Sequence, residues 1–347
     1  MKTFPVRWLA GLLMGALLVS ACYGSTRPVI KIGLIAPFEE LYRDDGYEVL
    51  NAVKLAVNQR NAAGGVAGSS VALVALNDNG RGDEAQTQAA KMAVDPDILG
   101  VIGPVKEASL PAGPALTARQ VPWISLTETP RAQLAGGFSL AMSPDALVAA
   151  AVDALQAQPD VQAVQVYTDW PVAVPSGAEA ESLASAAAMT AEAGLGAVWL
   201  GDAAGGARLA VALGSGSAIM GGTEVGSHIF LGRAGTDAAP AAWLSAAPDV
   251  SGMPQDFVAA YRALAGAVPG PQALVAYDAA NMLLDAINLA GTGSKAPDRA
   301  AVQQALLQLG MDGWDGSTGV IRWETGCQLE DGCGRRMDGP VYRQTVR

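Results

Sequence analysis

The chain has 347 residues, half of them hydrophobic and 16% charged, with 22 Lys plus Arg against 33 Asp plus Glu and a formal charge of −11. That length suits two domains and the composition excludes a disordered chain. The acidic balance and the 5% aromatic content argue against phosphate contacts and base stacking, and so against a nucleic-acid binder. One histidine, His228, and three cysteines give no basis for a histidine-rich metal centre or a multi-disulfide scaffold, and no cofactor is expected.

At the N-terminus Lys2 and Arg7 precede an apolar run over residues 8–21. A spanning helix needs about 20 residues, so this run suits the hydrophobic region of a signal peptide. It ends in LVSAC (18–22), small residues running into Cys22, and resembles a bacterial lipoprotein signal in which Cys22 is lipidated. An ordinary cleaved signal with a chance cysteine is the alternative. Removal of residues 1–21 leaves 326 residues with 20 basic and 33 acidic side chains, a formal charge of −13. Residues 22–28 read as a tether.

From residue 29 short β-type runs alternate with helical stretches. VIKIGLIA (29–36) is a buried strand stopped by Pro37. Residues 47–62 have helical spacing, with Val49, Ala52, Val53, Ala56 and Val57 on one face, and end at Gly64-Gly65 as a helix C-terminus prefers. Strands follow at 71–76, 98–103 and 121–125, with helices at 83–94 and 110–119 between them. This alternation predicts an α/β fold with parallel sheets covered on both faces. A second set opens at Ser143-Pro144-Asp145. It has helices over 147–156, 178–193 and through 209–213, strands at 163–167, 197–200 and 228–231, then helices over 254–267, 272–290 and 300–309. Residues 319–323 and 341–346 read as β.

The usual catalytic motifs are missing. There is no P-loop, no His-Glu-x-x-His and no Gly-x-Ser-x-Gly elbow, so an enzyme is not expected. Gly214-Ser215-Gly216 follows a helix and reads as a turn, and Arg81-Gly82-Asp83 sits at a helix start. His228 reads as a structural histidine opening an apolar strand. Glu39-Glu40 and Asp44-Asp45 read as solvated acids in a loop. Cys327 and Cys333 lie six apart in a Gly-rich segment; export favours a small disulfide loop, with free thiols or metal ligation as alternatives.

IKIGLIAPFEE (30–40), NQRNAAGGVAG (58–68), VALVALNDNG (71–80), GVIGP (100–104) and VPWIS (121–125) occur in an order that resembles the type I periplasmic binding proteins of the branched-chain amino acid (Leu/Ile/Val) group. DFVAAYRAL (256–264), AYDAANMLLDAI (276–287) and GSTGVIRW (316–323) continue the likeness to about residue 346. The resemblance implies two Rossmann-like lobes with parallel central sheets, three hinge crossings, a ligand in the cleft and delivery to an ABC permease. On it, residues 29–142 plus 268–312 are expected to form the first lobe, and 143–267 plus 313–347 a shortened second lobe. A monomer is expected.

Ligand contacts are expected in loops after the strand C-termini, in the first lobe at 38–45 (with Tyr42), 105–109 and 126–129. The resemblance implies that a serine pair and an Ala/Ser-x-Thr stretch hold a ligand carboxylate. Thr127 and Thr129 match the second of these, but Lys106-Glu107 replaces the serine pair and Glu128 lies between the threonines. Glu107 either faces the cleft, where it would repel a carboxylate, or points to solvent and pairs with Lys106. In the second lobe the family uses a glutamate after a strand for the ligand ammonium. FLGRAG (230–235) offers Ala234 there, with Arg233 beside it. Trp170 is a candidate aromatic wall and Asp202 a candidate cleft residue. The expected function is solute binding for an ABC importer by cleft closure, with a small polar metabolite such as an amino-acid relative, an amide or a cationic compound. A sensory or interaction lipoprotein with a degenerate cleft is the alternative.

Overall fold

The β-branched run VIKIGLIA forms β1 (Val29–Ala36) as expected, its residues buried from Ile32 onward. In the computed structural model the described residues are 27–190, 193–291, 297–326, 328–332, 334–337 and 339–345. Cys22, Cys327 and Cys333 lie outside them. After β1 come α1 (Arg43–Ala62), β2 (Ser70–Asn77), α2 (Gly82–Ala93), β3 (Ile98–Ile102), α3 (Ala112–Thr117), β4 (Trp123–Ser125) and β5 (Phe138–Ser139). Each of β2, β3, β4 and β5 joins a parallel sheet around β1.

The chain then enters a second unit with α4 (Pro144–Gln156), β6 (Ala163–Thr168), β7 (Ala178–Glu181), β8 (Leu195–Leu200), α5 (Ala203–Leu213), β9 (Ala218–Gly221), α6 (His228–Ala234) and β10 (Ala241–Ser245). Its sheet has the order β7-β6-β8-β9-β10, with β14 (Tyr342–Thr345) antiparallel on the β10 edge. The remaining elements are α7 (Gln255–Ala265), α8 (Pro271–Ala290), α9 (Arg299–Asp312), β11 (Trp314–Gly316), β12 (Gly319–Trp323) and β13 (Gly334–Met337).

The lobe boundaries differ from the expected ones at two places. α7, expected in the second lobe, packs against α1 of the first, where the Tyr261 hydroxyl donates to the Glu48 carbonyl at 3.2 Å. Of the described residues in 313–347 only β14 joins the second sheet. β13 pairs in parallel with β5 through Gly334↔Phe138, and β11 and β12 follow it, so the first sheet has eight strands. The chain thus passes between the lobes three times: between β5 and α4, β10 and α7, and β13 and β14.

Two local expectations also fail. The Ala-rich stretch at 178–193 has helical propensity, yet its alternating Ala-Glu-Ala-Glu start pairs with the edge of β6 as β7, and a 3-10 turn follows at Ser185–Ala188. His228 opens α6 instead of a strand. Ser227 caps that helix, accepting from the Phe230 N–H, and this local cap outweighs the β preference of Ile-Phe-Leu. His228 is exposed.

Asp278 of α8 ties the C-terminal strands to the first lobe. Its Oδ2 accepts from the Thr318 N–H and hydroxyl, both at 2.7 Å, and its Oδ1 from the Ser317 N–H at 2.9 Å. Buried Arg336 completes the group, its Nη1 donating to Thr318 Oγ1 at 2.9 Å. Removal of Asp278 strands buried donors, so Asp278→Ala is expected to lower unfolding stability by about 3 kcal/mol. Urea denaturation checks this, and an unchanged midpoint would show that the network does not hold the strands.

Candidate functional site

Six loops that leave the C-terminal ends of parallel strands meet between the lobes, where open α/β sheets bind ligands. Those after β1, β3 and β4 come from the first lobe and those after β6, β8 and β9 from the second. The turn after β1 is tight: a Cβ on Gly46 would collide with the Pro37 carbonyl. This close approach folds the first turn of α1 under the cleft, so that Asp45, expected to be solvated, is buried, while Glu39, Glu40 and Asp44 are exposed.

Asp45 meets Lys106, which is only 1% exposed. Lys106 Nζ lies 2.5 Å from Asp45 Oδ2 and 3.7 Å from Glu224 Oε1, without the alignment of a hydrogen bond. The same ammonium stands 4.9 Å from the centroid of the Tyr42 ring, a cation–π distance. Burial alone would lower the Lys106 pKa, but Asp45 and Glu224 offset this and hold it above its usual value. Burial and the Glu224 charge push the Tyr42 hydroxyl up.

Glu224 follows β9 and lines the cleft, and it is a cleft glutamate that sequence reading missed. β9 is only four residues, AIMG, and it is the apolar run at 228–231 behind it that reads as the strand in sequence. The signal was the Gly-Gly-Thr-Glu turn at 221–224. Ala234 and Arg233 consequently stand away from the cleft, and Arg233 is exposed in the last turn of α6.

The lobes also join through Glu128. Its carboxylate accepts from the Thr223 N–H at 3.1 Å and from the Thr223 hydroxyl at 2.7 Å. Gly222 permits the approach, because a Cβ there would strike the Glu128 carboxylate and Leu147. The Thr127 and Thr223 hydroxyls lie 3.4 Å apart. Thr129, by contrast, is spent inside its own loop, donating to the Thr127 carbonyl at 2.9 Å and lying 2.8 Å from Ser125 Oγ.

Between these contacts is a pocket with about 260 Å³ of space between atoms, its mouth included. It is lined by Glu107, Glu128, Glu224, Trp170 and Trp199 together with Thr127, Leu147, Leu200, Gly201 and Gly222. Glu107 therefore faces the cleft, and its expected pairing with Lys106 is replaced by the Lys106 contacts to Asp45 and Glu224. The Glu107 N–H donates to Glu224 Oε1 at 3.4 Å. Burial, then the charges of Glu224, Asp202, Glu128 and Asp169, push the Glu107 carboxyl up to about 8. Burial likewise raises Glu128 and Glu224. Asp202 is not on the pocket wall; it caps α5, its Oδ1 accepting from the Gly205 N–H at 2.8 Å. Trp170 is on the wall, and its loop is fixed by the Trp170 N–H donating to Thr168 Oγ1 at 2.9 Å.

Residues 29–200 match the family model described as periplasmic binding protein. The comparison with curated proteins yields no match. Among solved structures the chain is similar to LivJ from Streptococcus pneumoniae in complex with isoleucine, at 18% identity and a TM-score of 0.70 over 91% of this chain and 95% of that one. It is similar to the leucine-binding protein LivK from Thermotoga maritima, at 19% identity and a TM-score of 0.71 over 92% and 95%. A solute-binding protein from R. palustris in complex with benzoate gives 15% identity and a TM-score of 0.67 over 92% and 93%. Residues 29–200 thus belong to the periplasmic binding protein family, and the two-lobed chain has the type I fold of these structures.

Proposed function

We propose that the protein is an extracytoplasmic solute-binding lipoprotein of an ABC importer, and that a small polar metabolite, an amino-acid relative or an amide, closes its two lobes. The observation that carries this reading is the convergence of loops from both lobes on one polar pocket walled by Trp170 and Trp199. A ligand favours closure only through contacts it makes with both lobes together, and here Thr127 and Glu107 face Glu224 and Gly222 across the pocket. The structural relatives in complex with isoleucine and with benzoate, both from transporters, support a small-molecule ligand and a transport partner. Anchorage rests on the sequence alone, through Cys22; no helix among the described residues is long and apolar enough to cross a membrane.

One observation favours a second reading, a sensory or interaction lipoprotein that does not transport. The lobes already hold each other with their own side chains, Glu128 on Thr223 and Lys106 on Glu224. Such contacts stabilise a closed form without any solute.

A thermal-shift screen of amino acids, amides and polyamines separates the two. Importer function is expected to show as a rise in melting temperature with at least one compound, whereas a flat response across the screen favours the second reading. The interlobe seam has its own test. Gly222→Ala is expected to displace Glu128 and shift the chain toward an open form, read as a larger radius of gyration by small-angle scattering; an unchanged radius would show that Glu128 does not govern closure. For the anchor, metabolic labelling with palmitate is expected to require Cys22, and a label retained in Cys22→Ser would remove that assignment.

A further inference from the structure

We propose that the cleft selects a small organic cation without a carboxylate, held by Glu107 and Glu224 between the walls formed by Trp170 and Trp199. This inference rests on the solute-binding reading above and names its ligand class. Three carboxylates line the pocket and no Lys or Arg does. Lys106, the basic group nearest to them in sequence, sits behind Glu224 and is already engaged by Asp45 at 2.5 Å.

Of the three, Glu128 is satisfied by Thr223. Glu224 is not. Its side chain is buried, the residue being 7% exposed, yet its Oε2 has no hydrogen-bond partner. A buried carboxylate oxygen left unpartnered on a pocket wall is destabilising by itself and is relieved by a charged donor. Glu107, on the same wall, has acids on every side. Glu224 and Glu128 face it from the loops after β9 and β4, Asp202 from the start of α5 and Asp169 from the loop after β6, while Lys106 beside it is turned toward Asp45 and Glu224, with Tyr42 over its ammonium.

A ligand carboxylate meets no basic side chain on this wall. The positions that the family resemblance assigned to it are Lys106-Glu107 and the Thr127–Thr129 loop. Glu107 would repel a carboxylate, and the Thr129 hydroxyl donates within its own loop. The pocket's charge and its two indoles suit an ammonium, because a desolvated cation gains from both a carboxylate and an aromatic face. In the closed form the pocket keeps only about 10 Å³ of free space, about enough for one water, so the cation enters the opened cleft and is small.

The test is isothermal calorimetry on the purified chain with 1,4-diaminobutane, tetramethylammonium, leucine and benzoate. Binding of at least one of the two cations, with leucine and benzoate inert, is the expected result. Because the cation draws Glu107 into its ionised form, binding near pH 7 is expected to release protons. Affinity is then expected to rise by up to about tenfold per pH unit between about pH 6 and 8. Glu224→Gln is expected to weaken the cation at least about tenfold. Glu107→Gln, which leaves Lys106 and its partners in place, is expected to weaken it and to abolish the pH dependence. Leucine or benzoate binding while both cations fail would overturn the cation assignment and leave solute binding intact. No binding by any of the four, together with a flat thermal-shift screen, would overturn both. A cation whose affinity is indifferent to both Glu variants would place it elsewhere and also overturn the assignment.

Discussion

The closed arrangement of the two lobes depends on one buried ion, the Lys106 ammonium. An ammonium removed from water is tolerated only when opposite charge stands beside it, and here the partners come from both lobes: Asp45 from the first turn of α1 and Glu224 from the loop after β9. The division between them is unequal. Asp45 is in the same lobe as Lys106 and much the closer, so it stays with the ion whatever the second lobe does. Glu224, at 3.7 Å, contributes a gross attraction of about 4 kcal/mol at an effective dielectric constant of about 20, before its own desolvation is counted. Separation of the lobes therefore strands no charge: Lys106 keeps Asp45, and Glu224 regains water. This makes a seam that closes the cleft and can still open.

The surrounding structure places that ion. β1 and β3 are adjacent parallel strands, so the loops leaving them emerge side by side and bring Asp45 and Lys106 together. The tight turn at Gly46 sets the depth of Asp45. On the opposite side β8 and β9 pair in parallel, and their ends present Gly201 and Gly222 to the pocket. The small residues there let Glu128 reach across to Thr223. Packing on both faces of each sheet holds these ends in place, with α1, α8 and α9 on one side of the first sheet and α2 and α3 on the other.

Much of this was legible in the sequence because it is local. The alternation of β-branched runs with helical spacing placed β1, β2, β3 and α1 close to where they lie. The strand-end rule brought Tyr42, Lys106, Glu107, Thr127 and Glu128 into view and the family resemblance Trp170, and the structure places all six in or directly behind the cleft. What was not legible is non-local or is decided by small energies. The pairing of β13 with β5 joins residues nearly two hundred positions apart, and no pattern in GRRM announces it. β9 is a four-residue apolar strand, AIMG, too short for periodicity to distinguish from the run at 228–231 behind it, and Glu224 was lost with it. Asp45 looked like one of two solvated acids because its burial comes from a backbone turn, not from its own neighbours in sequence.

Beyond the Lys106 ion the charges in the cleft do not balance. Asp45, Lys106 and Glu224 alternate in sign, and the next group along, Glu107, faces Glu224, Glu128, Asp202 and Asp169, all of the same sign. Burial first, and then the charges of these neighbours, push the Glu107 carboxyl up to about 8. Between the ordinary glutamate range near 4.3 and this raised value the native closed form holds a proton that the unfolded chain has given up, so its stability falls as pH rises through that window. The same imbalance has a functional side. A cation on the pocket wall supplies the positive charge that a proton on Glu107 supplies in its absence, which is the physical basis of the cation proposal. Under that proposal, closure and cation binding are met by the same two residues after β3: Lys106 joins the lobes and Glu107 faces the solute.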